Sequence, residues 1–187
     1  MATKIYIDQG HNPRNPNAGA EGNGLREQDI VYEIGVRLAA ILRAVGLETR
    51  LSRPTASTQL GTSNATSLAA RVNDANSWGA DYFISLHTNA AESPSANGSE
   101  AYVFRLGSTA DTLAQNILIG LNESTGLSTR GVFARPSLYV LRKTRMPAVL
   151  VELGFITNPY EASLMSTRPD LFAEGVASGV LSFLGLL

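Results

Sequence analysis

The stretch ADYFISLHTNA, residues 80–90, predicts the central strand of an α/β fold. Residues 82–87 are apolar at most positions, which is typical of a strand that is buried on both faces of a parallel sheet. Small and polar residues follow directly, so the predicted strand ends at His87. Open α/β sheets bind ligands outside the carboxyl ends of their strands, and His87 therefore lies where chemistry is expected.

Strands and helices alternate on both sides of this strand, which favours a mostly parallel sheet flanked by helices. We expect about six twisted strands and a single domain that covers residues 1–187. The predicted strands are residues 4–8, 47–52, 82–87, 101–105, 138–141 and 148–153. The predicted helices are residues 25–44, 68–78, 112–122, a short helix starting at Asn158-Pro159, and 169–187.

The composition limits the classes of function. A chain of 187 residues with 44% apolar and 17% charged residues is an ordinary globular protein with a sizeable core. The net charge of −1 gives no reason to expect a nucleic acid or a membrane as partner. Because the chain has no cysteine, any metal ion must be held by histidines and carboxylates.

From the sequence at the two ends we expect no targeting signal. Residues 1–8 lead directly into the first strand, without the apolar run of a signal peptide. The apolar segment 176–187 is too short to span a bilayer and contains glycine and serine, so it indicates a buried helix. We therefore expect a mature or excised domain, or a protein released without a signal, with a monomer as the default state.

The two histidines of the chain are the first candidates for chemistry. His11, in DQGHN, follows the first predicted strand, and His87, in SLHTN, ends the central one. A single loop histidine is more often a solvated or structural residue. Two of them at the carboxyl ends of predicted strands indicate shared metal binding.

Two glutamates extend this group. Glu27 falls in the first turn of the helix 25–44, where a carboxylate either completes an N-terminal cap or becomes a third metal ligand. Glu152 ends the apolar run PAVLVE, where burial would raise the pKa of its carboxyl towards values useful for proton transfer. The alternative for Glu152 is an exposed carboxylate at a strand end. Between these elements, the glycine-rich segment GAEGNG, residues 19–24, is interpreted as a flexible loop near the metal.

The chain resembles the zinc-dependent N-acetylmuramoyl-L-alanine amidases, the family of autolysins and sporulation amidases. The resemblance covers residues 5 to about 184, and its motifs occur in the family's order and spacing. They are DQGHN, GLREQD, SRP, ARVNDAN, ADYFISLHTNA, GSEAYVF and SLYVLRKTRMPAVLVELGFITN. The family hydrolyses the amide bond between N-acetylmuramic acid and L-alanine in peptidoglycan. Carried over to this sequence, the resemblance implies one zinc ion held by His11, Glu27 and His87, with Glu152 as the catalytic acid–base.

One motif departs from the family pattern, because the usual DPGHG is DQGHN here, residues 8–12. The histidine ligand is retained, but the change alters the stiffness of the loop and one substrate-facing wall. We expect Asn12 and Asn89 to contact substrate, and Asp8 and Asn89 to orient the ligands. Further candidates for substrate binding are Arg14 beside the zinc and, for a peptide carboxylate, Arg142 or Arg145, although surface arginines usually have no specific partner.

The resemblance also bears on partners and location. Regulated periplasmic relatives carry a helical insertion that covers the zinc, whereas the segment after Asn89 is too short here. We therefore expect an enzyme that needs no activator and acts on the cell wall, outside the cell, as an autolysin or as an endolysin released by a phage or a mother cell. Two alternatives remain open. One is a zinc peptidase acting on the stem peptide, and the other is a non-catalytic wall-binding module, against which the retained Glu152 argues.

Overall fold

The computed structural model describes residues 2–187, which form a six-stranded sheet and a separate two-stranded hairpin, with helices on both faces of the larger sheet. The strands are β1 Lys4–Gln9, β2 Glu21–Gly22, β3 Leu25–Arg26, β4 Glu48–Leu51, β5 Tyr82–Asn89, β6 Ser99–Val103, β7 Thr129–Ala134 and β8 Ala148–Phe155. The helices are α1 Glu27–Ala44, α2 Asn64–Trp78, α3 Thr109–Thr125, α4 Tyr139–Lys143, α5 Pro159–Thr167 and α6 Pro169–Phe183.

The larger sheet has the strand order β4-β1-β5-β8-β6-β7, with β5 in its interior as predicted. All neighbouring pairs are parallel except β6 and β8, which run antiparallel. The expected class, a mostly parallel sheet of about six strands between helices, is confirmed. Because β1, β5 and β8 run in the same direction, their carboxyl ends meet at one edge of the sheet.

The two faces of the sheet are covered to different extents. Ile7, Ile84 and Val151 point to a face that α1, α3 and α6 cover completely. Tyr6 and Phe83 point to the opposite face, which is covered by the shorter helices α2 and α4. Burial of each large apolar side chain stabilises the fold by about 1.5–3 kcal/mol. Strand residues alternate between the two faces. On the second face, the apolar residues are therefore followed by polar residues nearer the strand ends, beyond the part that the helices cover.

The helix bounds differ from the prediction by up to four residues, at amino and at carboxyl ends. The helix α2 begins at Asn64 rather than at residue 68, because Ser63 caps it and exchanges hydrogen bonds with Thr66 in a capping box. The last helix ends at Phe183 rather than at residue 187. None of the helices within residues 2–187 has the length and apolar character needed to cross a membrane.

Three local predictions were wrong. Residues 138–141 were predicted as a strand, but the structure has the helix α4 there, since a short apolar run fits either conformation. The strand β7, TRGVFA, was missed because it lies at the sheet edge and is largely exposed. The segment GAEGNG is not a continuous loop, because Glu21 and Gly22 form β2 and pair with Arg26 and Leu25 of β3.

Candidate metal centre

Three of the predicted residues converge at the carboxyl edge of the sheet. His11 follows β1 by two residues, Glu27 is the first residue of α1, and His87 lies in β5. Nε2 of His11 is 3.2 Å from Oε2 of Glu27, and Nδ1 of His87 is 3.1 Å from Oε1 of Glu27. The two ring nitrogens, Nδ1 of His87 and Nε2 of His11, are 3.1 Å apart.

This arrangement suits a metal ion. Two imidazole nitrogens face each other across 3.1 Å, which is favourable only when a proton or a cation lies between their lone pairs. With one ligand atom taken from each residue, the three atoms lie within 4.8 Å of one another, so they can close around a single ion. Within residues 2–187, His11, Glu27 and His87 are the one group of three such side chains that could hold a metal ion.

Glu27 is fixed by backbone groups from outside its own helix. The N–H of Thr88 donates to its Oε1 at 2.9 Å, and the N–H of Ala20 donates to its Oε2 at 2.9 Å. Burial raises the pKa of Glu27, but hydrogen bonds with His11 and His87 outweigh this effect and hold the pKa well below its usual range. The carboxylate is therefore ionised and turned towards the histidines rather than towards the start of α1.

A buried ion pair holds the loop that carries His11. Arg71, in α2, donates from Nη2 to the carbonyl of His11 at 2.5 Å and from Nη1 to the carbonyl of Gln9 at 2.7 Å. The same Nη1 lies 2.6 Å from Oδ1 of Asp8, and Ser85 donates to Oδ2 of Asp8 at 2.7 Å. Asp8 thus supports the loop through Arg71. The sequence motif ARVNDAN contains Arg71, but a charge on the buried face of a helix was the one signal that could have identified its role.

Two glycines allow the backbone to approach the metal-binding side chains. A Cβ at Gly10 would lie 2.5 Å from Cε1 of His87, and a Cβ at Gly19 would lie 2.8 Å from Oε2 of Glu27. Such distances are far below normal van der Waals contact, so any larger residue would displace His87 or Glu27. The glycine-rich segment therefore forms a wall of the centre.

The residues that depart from the family motif point inwards. Asn12 is fully buried, and its Nδ2 donates to the carbonyls of Pro16 and Leu60 at 2.8 and 2.9 Å. The expectation that Asn12 contacts substrate is therefore corrected, since its amide is used to hold the loop. Gln9 is also fully buried, and its Oε1 accepts a hydrogen bond from the backbone of Arg53 at 2.9 Å.

Glu152 lies beside the three converging side chains, on the strand next to His87. It is the register partner of His87 between β5 and β8 and lies three residues before the end of β8, not at its end as predicted. Among the described residues, its Oε2 has no hydrogen-bond partner although it is buried. Burial, followed by the charges of Glu27 and Glu100, raises the pKa of Glu152 to about 8.

Beyond Glu152, the sheet carries a second acidic side chain that sequence analysis did not identify. Glu100, in β6, is the register partner of Glu152 across the antiparallel pair. Oε1 of Glu100 accepts hydrogen bonds from Nδ2 of Asn89, at 2.8 Å, and from the hydroxyl of Tyr102. Oε2 accepts from Nε of Arg130 at 2.7 Å. Burial raises the pKa of Glu100, but Tyr102 and Arg130 outweigh it and lower the pKa.

This cluster also shows where Asn89 acts. Its Nδ2 donates to Glu100 and its Oδ1 accepts from the backbone N–H of Ala90. The expected role in orienting His11, Glu27 or His87 is therefore replaced by a contact with Glu100. Asn89 stays partly exposed at the edge where substrate contact was predicted.

The other proposed arginines lie elsewhere. Arg142 lies in the last turn of α4 and lines a cavity of about 480 Å³ together with Ala148, the first residue of β8. The backbone of Arg145 is bound to Asn76, in α2. Both therefore lie towards the amino end of β8, away from Glu152. Arg14 lines a separate surface pocket with Pro16 and Gln59, among others.

A narrow pocket adjoins the converging histidines. Its volume is about 140 Å³, and His11 and His87 form part of its wall. The rest of the wall is mainly apolar and includes Leu68, Tyr139 and Leu150. The centre thus combines two imidazoles, an ionised carboxylate, a carboxyl of raised pKa and an apolar recess.

Comparison with known proteins gives a consistent result. The model of the family described as N-acetylmuramoyl-L-alanine amidase matches residues 5–182. The N-acetylmuramoyl-L-alanine amidase LytC of Bacillus subtilis is 38% identical over 185 residues, which are 96% of this chain and 35% of that protein. The sporulation-specific N-acetylmuramoyl-L-alanine amidase of the same organism is 34% identical over 182 residues, 95% of this chain and 66% of that protein.

A solved structure agrees with these relatives. The catalytic domain of CwlV, an N-acetylmuramoyl-L-alanine amidase from Bacillus (Paenibacillus) polymyxa, superimposes with a TM-score of 0.85 at 29% identity. The match covers 99% of each chain. The chain thus spans the whole of that catalytic domain but only about a third of LytC and about two thirds of the sporulation amidase.

Proposed function

The chain belongs to the N-acetylmuramoyl-L-alanine amidase family, and from this premise we propose that it hydrolyses the amide bond between N-acetylmuramic acid and L-alanine in peptidoglycan. One zinc ion would be held by His11, Glu27 and His87, and Glu152 would move the protons. The observation that carries the proposal is the convergence of two ring nitrogens and a carboxylate within 3.2 Å beside a carboxyl whose pKa is raised.

The ligand set supports zinc as the cofactor. Zinc sites in enzymes commonly combine three protein ligands from histidine and carboxylate and keep one further position for water or substrate. When bound, a zinc ion supplies Lewis-acid chemistry that activates water and polarises a carbonyl group. The backbone N–H groups of Thr88 and Ala20 fix Glu27, and Arg71 fixes the backbone of His11, so the ligands are held in place before the metal binds.

Glu152 is placed to act as the general base and then as the general acid. Its Oε2 has no hydrogen-bond partner within the described part of the chain, so no protein donor competes with proton transfer at this carboxyl group. The pKa of about 8 is that of the metal-free protein, and a bound zinc ion would lower it, so that Glu152 would first accept a proton from water and then deliver it to the leaving nitrogen of L-alanine. Because Glu152 and His87 are register partners on adjacent parallel strands, the proton carrier is next to the proposed ligands.

The surroundings support an enzyme that needs no activator. Between β5 and β6, residues 90–98 contain no helix in the structure, and only a short turn separates β6 from α3. No helical segment therefore covers the centre from these connections within residues 2–187. We propose that the protein acts as a monomer on the cell wall, without nucleic acid or membrane as partner, as an autolysin or an endolysin does.

The test is a digest of purified peptidoglycan with the zinc-loaded protein. Newly freed amino groups are identified by residue, and new reducing sugar ends are counted in the same sample. We expect free L-alanine amino groups without reducing ends, and we expect Glu152→Gln to remove this activity while it retains zinc. Amino groups freed on other residues would instead identify a peptidase. Zinc binding with no cleavage would identify a wall-binding module.

A further inference from the structure

Arg130, at the amino end of β7, is held on several sides and exposed on another. Its Nε donates to Oε2 of the buried Glu100 at 2.7 Å, and its Nη1 donates to the carbonyl of Asn97 at 3.3 Å. The guanidinium also lies over the ring of Phe155, 5.2 Å from the ring centroid. Even so, 45% of the side chain is exposed, and no partner of Nη2 is found within residues 2–187.

The position of Arg130 relates it to the proposed catalytic centre. His87, Glu152 and Glu100 are successive register partners on β5, β8 and β6, so they form a row on one face of the sheet. Arg130 binds the last member of this row from the neighbouring edge strand. Neighbouring strands are about 4.8 Å apart, so the guanidinium lies roughly one to two strand spacings from Glu152.

Glu100 occupies only part of the hydrogen-bonding capacity of the Arg130 guanidinium. The three hydrogen bonds that Glu100 receives come from Asn89, Tyr102 and Arg130, and only one of them involves the guanidinium. The contacts of Arg130 with Glu100, Asn97 and Phe155 restrict its side chain before any ligand arrives. Less conformational entropy is then lost on binding, which favours recognition of an anion by the remaining edge of the guanidinium.

We propose that Arg130 is a specificity-determining residue that binds a carboxylate of the stem peptide, carried on the residue next to the L-alanine. The proposal rests on the proposed function, because the scissile amide must lie beside Glu152. Extended peptide spans at most about 3.3–3.6 Å per residue, so L-alanine and the next residue together reach roughly 7 Å, which is within the range of one to two strand spacings. A carboxylate is the group that a guanidinium binds best in this geometry, through charge-assisted hydrogen bonds.

The experiment uses two soluble muramyl dipeptides that differ in one group. In both, L-alanine is followed by a D-glutamyl residue whose γ-carboxyl is capped as a methylamide; its α-carboxyl is a free carboxylate in one substrate and a carboxamide in the other. Release of N-acetylmuramic acid gives kcat and KM for each substrate with the zinc-loaded protein. The variants are Arg130→Gln, which removes the charge, and Arg130→Lys, which keeps it. Arg135→Gln is the matched control, since Arg135 is also exposed and stacks on an aromatic ring, that of Tyr102, but at the other end of β7.

We expect the wild type to prefer the carboxylate substrate about tenfold in kcat/KM, mainly through KM, because this contact does not change during the reaction. Arg130→Gln is expected to abolish the preference, Arg130→Lys to retain part of it, and Arg135→Gln to leave it unchanged. The ratio between the substrates separates recognition from any indirect effect through Glu100, which would slow both equally. Equal loss on both substrates, or a preference that survives in Arg130→Gln, would overturn the proposal. No cleavage of either substrate by the wild type, with intact peptidoglycan also uncleaved, would contradict the proposed function itself.

Discussion

The two ends of the central sheet differ, because one end has the converging ionisable side chains and the other has the wider cavity. At the carboxyl ends of β5 and β8, the recess beside His11 and His87 measures only about 140 Å³. At the amino end of β8, a cavity of about 480 Å³ is lined by Phe104, Arg142 and other residues. The narrow end combines converging ligand atoms with a carboxyl of raised pKa, whereas the wide end has exposed arginines. Convergence of donor atoms, rather than volume, identifies the functional end.

The direction of the strands explains this difference. Loops that follow parallel strands gather at one edge of the sheet, so His11, after β1, meets His87 of β5 there. The chain then adds devices that hold polar groups in place, such as the pair of Arg71 with Asp8. The opposite end receives the loops that precede the parallel strands, and within residues 2–187 no comparable network surrounds Arg142. Variants at the two ends can therefore test whether the contrast is functional.

The largest expected effect is that of Glu152→Gln at the narrow end. The substitution preserves the size of the side chain but removes its ability to accept and return a proton. We expect kcat on peptidoglycan to fall by about 10²–10⁴-fold, the usual contribution of a positioned acid–base group. Zinc content and the thermal unfolding curve of the loaded protein serve as controls. Activity within tenfold of the wild type, with zinc retained, would remove Glu152 from this role.

The four residues of the candidate centre are also those that sequence analysis could identify. His11, Glu27, His87 and Glu152 lie next to strong local signals, namely apolar strands and a helix start, and the family motifs contain them. The central position of β5 followed from its composition for the same reason. These signals are local, so a single sequence contains them.

What the sequence did not indicate depends on contacts between distant segments. Arg71 and Asp8 are 63 residues apart, and no local pattern marks their pairing. Glu100 became visible only when β6 was placed antiparallel to β8. The edge strand β7 buries little of its surface and therefore lacks a hydrophobic pattern. Asn12 was expected to contact substrate because it lies in the loop beside the proposed zinc, whereas here its amide binds buried carbonyls.

Arg71→Lys tests whether the narrow end is held in place by its buried network. Lysine keeps the positive charge near Asp8 but cannot bind the carbonyls of His11 and Gln9 with the fixed geometry of a guanidinium. We expect the affinity for zinc to fall about 10–100-fold, as is usual when groups that orient metal ligands are changed. Competition with a chelator measures the affinity.

Two further variants bracket the effect of Arg71→Lys. His11→Ala should lose zinc altogether, because a ligand is removed. Ser85→Ala should weaken zinc binding less than Arg71→Lys, since it removes a single hydrogen bond to Asp8 and leaves Arg71 in place. If Arg71→Lys and Ser85→Ala both bind zinc as the wild type does, while remaining folded, the network does not position His11.

The pH dependence of stability sharpens the contrast in a different way. In the metal-free protein, the pKa of Glu152 is raised to about 8 from an ordinary value of 4.5, so the folded chain holds the proton more tightly than the unfolded chain. The resulting stability is fully present below pH 4.5 and is lost as the pH rises to about 8. The side chain in the variant Glu152→Gln does not titrate, so the variant lacks this dependence of stability on pH.

We therefore expect the metal-free variant Glu152→Gln to gain stability relative to the wild type as the pH rises, from about 1 kcal/mol at pH 5 to about 4 kcal/mol at pH 8. Denaturant unfolding of both proteins in the presence of a chelator measures the difference at each pH. Zinc should reduce the difference, because a nearby dication favours the ionised carboxylate. A difference that does not change with pH would show that Glu152 titrates like an exposed carboxyl.

The smallest expected effect is that of Arg142→Gln at the wide end. Arg142 was a candidate for binding a peptide carboxylate, but it lines the cavity at the amino end of β8, whereas Glu152 lies towards the carboxyl end. Since its side chain is exposed in a short helix, its removal should change neither zinc affinity nor kcat/KM by more than about twofold, and stability by no more than about 0.5 kcal/mol. The same muramyl dipeptides that test Arg130 provide the measurement. A selective loss of the carboxylate substrate in Arg142→Gln would mean that the stem peptide reaches the wide cavity, and the assignment of one functional end to the sheet would have to be abandoned.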